Sequence, residues 1–237
     1  MRYSEAMLHA AGPLVASGRD SEIFEYGPGR VLRRSRNRRS MEKEAKVMGY
    51  VAQYGYPVPR VEEISADCSE LVMERIDGPT MLEALSRRPW TLWRHAAVLA
   101  GLHDRLHEIP GPQWLDPFLS GSACLVHLDL HPLNVILSPK GPMLIDWSNA
   151  ARGAGQADVA LTWLVMMAAE IPGGGVQAAV GRVFRRLFVR SFLSHFDLAP
   201  VRAVLSAVGA WKCQDRNMGT AEVARMRWLV ARQSGRP

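Results

Sequence analysis

The stretch from Leu125 to Trp147 constrains this chain more than any other part of it. Leu125-Val126-His127-Leu128-Asp129-Leu130-His131-Pro132-Leu133-Asn134-Val135-Ile136-Leu137 is followed by Ser-Pro-Lys-Gly-Pro and then by Met143-Leu144-Ile145-Asp146-Trp147. Apolar runs this short, bounded by Pro and Gly, read as strands. An apolar strand therefore delivers a polar loop, and a hairpin returns through Met143, Leu144 and Ile145 to an acid at a strand end. That hairpin brings Asn134 and Asp146 close together despite their separation in sequence. Their oxygens are hard ligands suited to Mg²⁺, which takes few protein ligands alongside water and substrate phosphates.

The rest of the chain supplies two kinds of context. Before Ile76 the signals are mostly β. Residues 23–26 and 30–34 flank Pro28-Gly29 as two strands joined by a tight turn, and 61–65 and 70–76 read as two more. Between them a helix starts near Ser40, an N-cap type, with Met41, Ala45, Met48 and Ala52 on one face and Gly55 at its end. Asp77-Gly78-Pro79 is the expected boundary. Thr80-x-x-Glu83 is a capping box opening the next helix, and helical patterns follow at about 80–86, 91–108, 157–170, 176–194, 199–211 and 220–233. Gly173-Gly174-Gly175 follows a helix rather than a strand, so it reads as a helix–helix turn and not a phosphate loop.

Composition narrows the classes. With 237 residues and 48% hydrophobic content the chain is an ordinary globular protein, long enough for one large domain or two small ones. A net charge of +6 favours anionic partners. Cys68, Cys124 and Cys213 are scattered and odd in number, which argues against a disulfide framework or zinc site and for a reducing, cytoplasmic home. Residues 1–16 lack the apolar core of a signal peptide. The longest apolar run, Val159 to Ala169, is too short to span a bilayer, so no membrane role is expected.

The H-x-D-x-x-x-x-N loop at 127–134, followed by the I-D-W strand end at 145–147, closely resembles the aminoglycoside phosphotransferase and choline kinase group, distant relatives of protein kinases. The resemblance runs from about Ala16 to Trp163. It implies an α+β, protein-kinase-like bilobal fold: a small N-terminal β-rich lobe over 1–76 that binds nucleotide, and a mostly helical C-terminal lobe over 77–237 that carries catalysis and the acceptor. It also implies that Asp129 accepts or orients the acceptor hydroxyl proton, that His127 braces the loop, and that Asn134 and Asp146 hold Mg²⁺. Gly18 and Ser21, in the turn Ser17-Gly18-Arg19-Asp20-Ser21, would cover the phosphates of ATP or GTP.

On the strand at 30–34, alternation puts Val31 and Arg33 on one face. There the family roofs the adenine and contacts the phosphates, with Arg34 as the neighbouring alternative. The family usually has Lys where this chain has Arg33, and a fork is not equivalent to a point charge. Glu44 would pair with that basic residue, the alternative being a surface glutamate. The backbone around Glu74 and Ile76 would meet the base. Asp158 matches a structural acid that braces the loop. Leu128 replaces the usual small Gly of the motif. His103 and His107, at i and i+4, read as packing residues rather than metal ligands, and His131 as shaping the catalytic loop.

From Val176 onward Lys and Arg number 11 against 3 Asp and Glu. A surface of that sign does not favour polycationic aminoglycosides. The expected partner is therefore a neutral or anionic small molecule bearing a hydroxyl. A non-catalytic nucleotide-binding protein on the same fold is the alternative. Nucleic-acid binding through Arg30, Arg33, Arg34, Arg36, Arg38 and Arg39 ranks last, because no recognised motif accompanies the run. Protein substrates are disfavoured by the absence of an A-P-E segment after Asp146. The sequence leaves the oligomeric state open.

Overall fold

A computed structural model describes residues 2–4, 11–18, 20–119, 124–171, 173–215 and 218–233. Arg19, in the expected phosphate-covering turn, lies outside them. In chain order the elements are β1 (Arg2–Ser4), β2 (Leu14–Ser17), β3 (Ser21–Glu25), β4 (Arg30–Ser35), α1 (Glu42–Gln53), β5 (Val61–Ser65), β6 (Glu70–Glu74), α2 (Met81–Arg87), a 3-10 turn (Pro89–Thr91) and α3 (Leu92–His107). Then come β7 (Pro117–Phe118), β8 (Cys124–Val126), β9 (Val135–Ser138), β10 (Gly141–Leu144), β11 (Ala151–Gly153), α4 (Gly155–Ala168), α5 (Gly175–Leu193), α6 (Leu198–Lys212) and α7 (Thr220–Gln233).

The chain forms two compact units, residues 1–80 with 134–148, and residues 81–133 with 149–237. The sequence boundary at 77–79 falls beside the first crossing. The β9–β10 hairpin groups with the first unit, whereas the sequence reading left it in the second. The reason is local packing: Leu144 N–H donates to the Pro57 carbonyl at 2.9 Å, and Trp147, fully buried, meets Tyr56 edge-on with ring centroids 5.7 Å apart.

In the first unit a six-stranded sheet runs β1-β5-β6-β4-β3-β2, antiparallel except where β1 joins β5. Val31 pairs with Met73, Leu32 with Val72 and Arg33 with Leu71. Leu32 and Val72 are fully buried, with Ala11, Phe24 and Tyr26 packed on them. The helix α1 starts at Glu42, two residues after Ser40, whose hydroxyl accepts the Glu42 N–H at 3.3 Å. Its buried residues are Glu44, Ala45, Val47, Met48 and Val51, while Ala52 is exposed, so the buried stripe is wider than the sequence pattern and includes a charge. Gly78 has a φ of +148°, and a Cβ there would stand 2.3 Å from the Leu137 carbonyl oxygen, so only glycine lets these backbones approach.

The second unit is a helical body around α4, nine of whose residues are buried. That helix packs against α3, α5, α6 and α7, as its nearly uninterrupted apolar sequence requires. A small sheet of order β7-β11-β8 adjoins it and ends where the polar loop begins. Gly173 and Gly174 lie between α4 and α5, and Gly175 is the first residue of α5, so the run joins two helices. Among the described residues no helix is long and apolar enough to cross a membrane.

Candidate active site

The loop after β8 is fixed by one buried acid. Asp158, in the first turn of α4 and fully buried, accepts the backbone N–H of His127 at 2.9 Å on Oδ2 and that of Leu128 at 2.8 Å on Oδ1. Burial pushes the Asp158 carboxyl up, but His107 and the other nearby imidazoles outweigh it and hold the group down at about 2. His107 Nε2 lies 3.4 Å from Oδ2. The carboxylate thus stays charged and clamps two consecutive amides.

That clamp holds Leu128 at φ +58°, in the left-handed region. Such a φ explains why the motif ordinarily carries Gly there. Here a leucine with only 1% exposure occupies the position, and its burial offsets the backbone strain. Farther along, the Leu130 carbonyl accepts the Thr162 hydroxyl at 2.6 Å. His127 is completely buried. The expected packing role of His103 has its structural counterpart in a fully buried ring, 2.9 Å from the Leu99 carbonyl and 3.0 Å from Thr162 Oγ1.

Asp129 is a partly exposed acid on this loop. His131 Nε2 lies 3.5 Å from its Oδ2, and Lys212 Nζ lies 3.5 Å from its Oδ1. Burial alone would raise this carboxyl, but His131, Lys212 and His127 outweigh it and hold Asp129 below the ordinary carboxylate range. Lys212 is itself buried, at the C-terminal end of α6, and its ammonium also bonds Asp215 Oδ2 at 2.9 Å. Burial opposes that charge, yet Asp129 and Asp215 raise the Lys212 pKa on balance. Neither Lys212 nor Asp215 is singled out by the motif. The available signal was chemical: Lys212 is the only lysine after Lys140 in an arginine-rich chain.

In the first unit the residues expected to face nucleotide also cluster. Arg33 donates to Glu44 Oε1 through Nη1 and to Ser21 Oγ at 3.0 Å through Nε, and its Nη2 lies 3.6 Å from Asp146 Oδ1. Glu44 Oε1 also accepts the Trp147 N–H at 3.2 Å. Glu44 is buried, so the surface-glutamate alternative falls away; burial pushes its carboxyl upward, against the pull of Arg33. Arg34, the neighbouring alternative, donates instead to Glu70 Oε1 at 2.6 Å. Gly18 N–H donates to the Ser21 carbonyl at 2.8 Å, forming the tight turn between β2 and β3.

The hairpin places the metal-ligand candidates side by side. Ile145 N–H donates to the Asn134 carbonyl at 2.9 Å, directly beyond the Val135–Leu144 pair. Asp146, at φ +65°, turns out of the strand with its side chain 40% exposed and accepts the Ser148 hydroxyl at 2.9 Å. Val31 is buried next to Arg33 in β4. Glu74 ends β6, where its N–H donates to the Arg60 carbonyl and its carboxylate meets Lys140 at 3.3 Å. Ile76, two residues on, is half-buried.

A β-rich unit carrying Arg33, Glu44 and Asp146, and a helical unit presenting a clamped aspartate loop, define a protein-kinase-like fold. The family model described as "Phosphotransferase enzyme family" (APH) matches residues 81–202, just over half the chain. The chain belongs to this phosphotransferase family, with which aminoglycoside phosphotransferases and choline/ethanolamine kinase family proteins share the fold.

Solved structures agree on that fold. A thermostable mutant of aminoglycoside phosphotransferase APH(4)-Ia in its apo form is 17% identical, with a TM-score of 0.66 and 94% of each chain covered. A choline/ethanolamine kinase family protein from Mesorhizobium loti is 15% identical, with a TM-score of 0.58, over 96% of this chain and 89% of the other. The amicoumacin kinase hAmiN, solved with AMP-PNP, Ca²⁺ and Ami, is 16% identical, with a TM-score of 0.55, over 98% of this chain and 90% of the other. No curated protein matches the chain by sequence.

Proposed function

We propose that this phosphotransferase uses ATP or GTP with Mg²⁺ to phosphorylate a hydroxyl of a neutral or anionic small molecule, in the cytoplasm. The carrying observation is Asp129: a carboxylate on a loop clamped by Asp158, kept ionised by Lys212 and His131, and still partly exposed. Such a group accepts a hydrogen bond from an acceptor hydroxyl and holds its oxygen in line for attack. The proton then has an ionised oxygen to move to. His127 braces the loop from within.

In the first unit Arg33, anchored by Glu44 and Ser21, would pair with nucleotide phosphates, and the turn at Gly18 and Ser21 would cover them. The backbone near Glu74 and Ile76, beneath Val31, would meet the base. Asn134 and Asp146 fit a hard cation: both offer oxygens, they sit at adjoining hairpin positions, and Asp146 is open to solvent on one side. When bound, Mg²⁺ supplies charge neutralisation at the phosphate oxygens. The β-rich unit would thus bind the nucleotide and the helical unit would supply the residue that meets the acceptor.

The Lys212 ammonium beside Asp129 supports the acceptor's sign, since an acceptor ammonium next to the reacting hydroxyl would face a like charge. The test is a Mg·ATP and Mg·GTP turnover screen over neutral polyols, sugars, nucleosides, hydroxy acids and aminoglycosides, with Asp129→Ala as control. Acceptor-dependent product from neutral or anionic compounds, lost in Asp129→Ala, is expected. Nucleotide binding without turnover anywhere would identify a non-catalytic binder instead. A preference for a polycationic aminoglycoside would overturn the acceptor assignment.

A further inference from the structure

Lys212 has no place in the motif that carries the proposed chemistry, yet it is a buried charge, one of few among the described residues of the second unit. It is 7% exposed and sits between two carboxylates, Asp129 Oδ1 at 3.5 Å and Asp215 Oδ2 at 2.9 Å. Its backbone is held firmly. The neighbouring Trp211 packs edge-on against Phe118 with centroids 4.9 Å apart, and Gly209 on the same helix meets Val230 of α7 so closely that a Cβ would stand 2.5 Å from it. Burying an ammonium is costly unless it is paired. Here the nearer pairing, to Asp215 within the same turn, fixes the ammonium, and the longer one reaches the loop.

We propose that Lys212 is a positioning residue for phosphoryl transfer: clamped by Asp215, its ammonium holds Oδ1 of Asp129 so that a lone pair of the carboxylate stays directed at the acceptor hydroxyl. This rests on the reading of Asp129 given above. Among the described residues, the titratable groups that act on Asp129 include His131 and His127 from its own segment and Lys212 from α6, and those that act on Lys212 include Asp129 and Asp215. His131 at Oδ2 and Lys212 at Oδ1 approach the carboxylate on its two different oxygens and so restrict its orientation. Removing Lys212 takes away the restraint on Oδ1 and one of the positive charges that favour the ionised carboxylate.

The experiment compares wild type, Lys212→Met, Lys212→Arg, Asp215→Asn and Asp129→Ala with the best acceptor of the screen, measuring kcat, both KM values and the pH dependence of kcat. Lys212→Met is expected to lower kcat by tenfold or more with the nucleotide KM within twofold, and to move the acid limb of the profile to higher pH. Lys212→Arg should recover part of kcat, and Asp215→Asn should lose less than Lys212→Met. Independently of any acceptor, ¹³C titration of the Asp129 carboxyl, assigned with Asp129→Asn, should move upward in Lys212→Met. An unchanged titration, or unchanged kcat and acid limb while Asp129→Ala is dead, overturns the inference and leaves the proposed function standing. Equal activity in Asp129→Ala and wild type overturns both.

Discussion

Replacing Asp158 by Asn keeps shape and removes the charge that holds the catalytic loop. The carboxylate accepts two consecutive amides, at 2.9 and 2.8 Å, in a site with no solvent access. An asparagine can accept one of them; its NH₂ then faces the other N–H, donor against donor. Hydrogen bonds to a charged group contribute about 1.5–3 kcal/mol each, so losing one, orphaning its donor and weakening the second should cost about 3–4 kcal/mol. For a chain of this size that corresponds to roughly 6–16 °C in Tm. Thermal unfolding followed by circular dichroism reads the first consequence. Amide exchange at His127 and Leu128 reads the second, with protection falling by about two orders of magnitude. A variant whose Tm lies within 2 °C of wild type and whose two amides keep their protection would refute the clamp.

Three further outcomes follow from the same geometry. Leu128→Gly relieves a left-handed residue, worth about 1–2 kcal/mol, but empties a fully buried leucine site, which costs about 3–5 kcal/mol; denaturant unfolding should show net destabilisation, and a stabilised variant would contradict the assignment. Arg33→Lys keeps the charge but loses the fork that reaches Glu44, Ser21 and Asp146 together, so calorimetry should show Mg·ATP binding weakened by about tenfold, one charge-assisted bond's worth. Burial pushes His103 down from 6.5 to about 4, so below pH 6.5 the unfolded chain binds a proton that the folded one refuses. Stability present above that pH is therefore lost as pH falls toward 4, by up to about 3 kcal/mol, and unfolding free energies from pH 7.5 to 4.5 should fall less steeply in His103→Leu than in wild type.

The helices and the longer strands were legible in the sequence because their signals are local, whereas the two- and three-residue strands β1, β7 and β11 were not. The helices at 81–87, 92–107, 155–168, 175–193, 198–212 and 220–233 lie within about two residues of their periodic patterns. The hairpin that juxtaposes Asn134 and Asp146 followed from two apolar runs joined by Ser-Pro-Lys-Gly-Pro. The residues of the motif were legible too, since the loop and strand end occupy one continuous stretch.

What the sequence could not decide depends on partners far apart in the chain. Glu44 reads in sequence equally well as a surface glutamate, and only the arrival of Arg33 from β4 and of the Trp147 amide, 103 positions on, makes it a buried ion-pair partner. The assignment of the hairpin to the β-rich unit rests on Tyr56 and Pro57. The tolerance of Leu at position 128 rests on a buried pocket and on Asp158, thirty residues on. Lys212 reads in sequence as one more cation in a basic segment; its meeting with Asp129, 83 positions earlier, is a product of helix packing. Local propensity fixes which residues are offered, and burial decides which of them face one another.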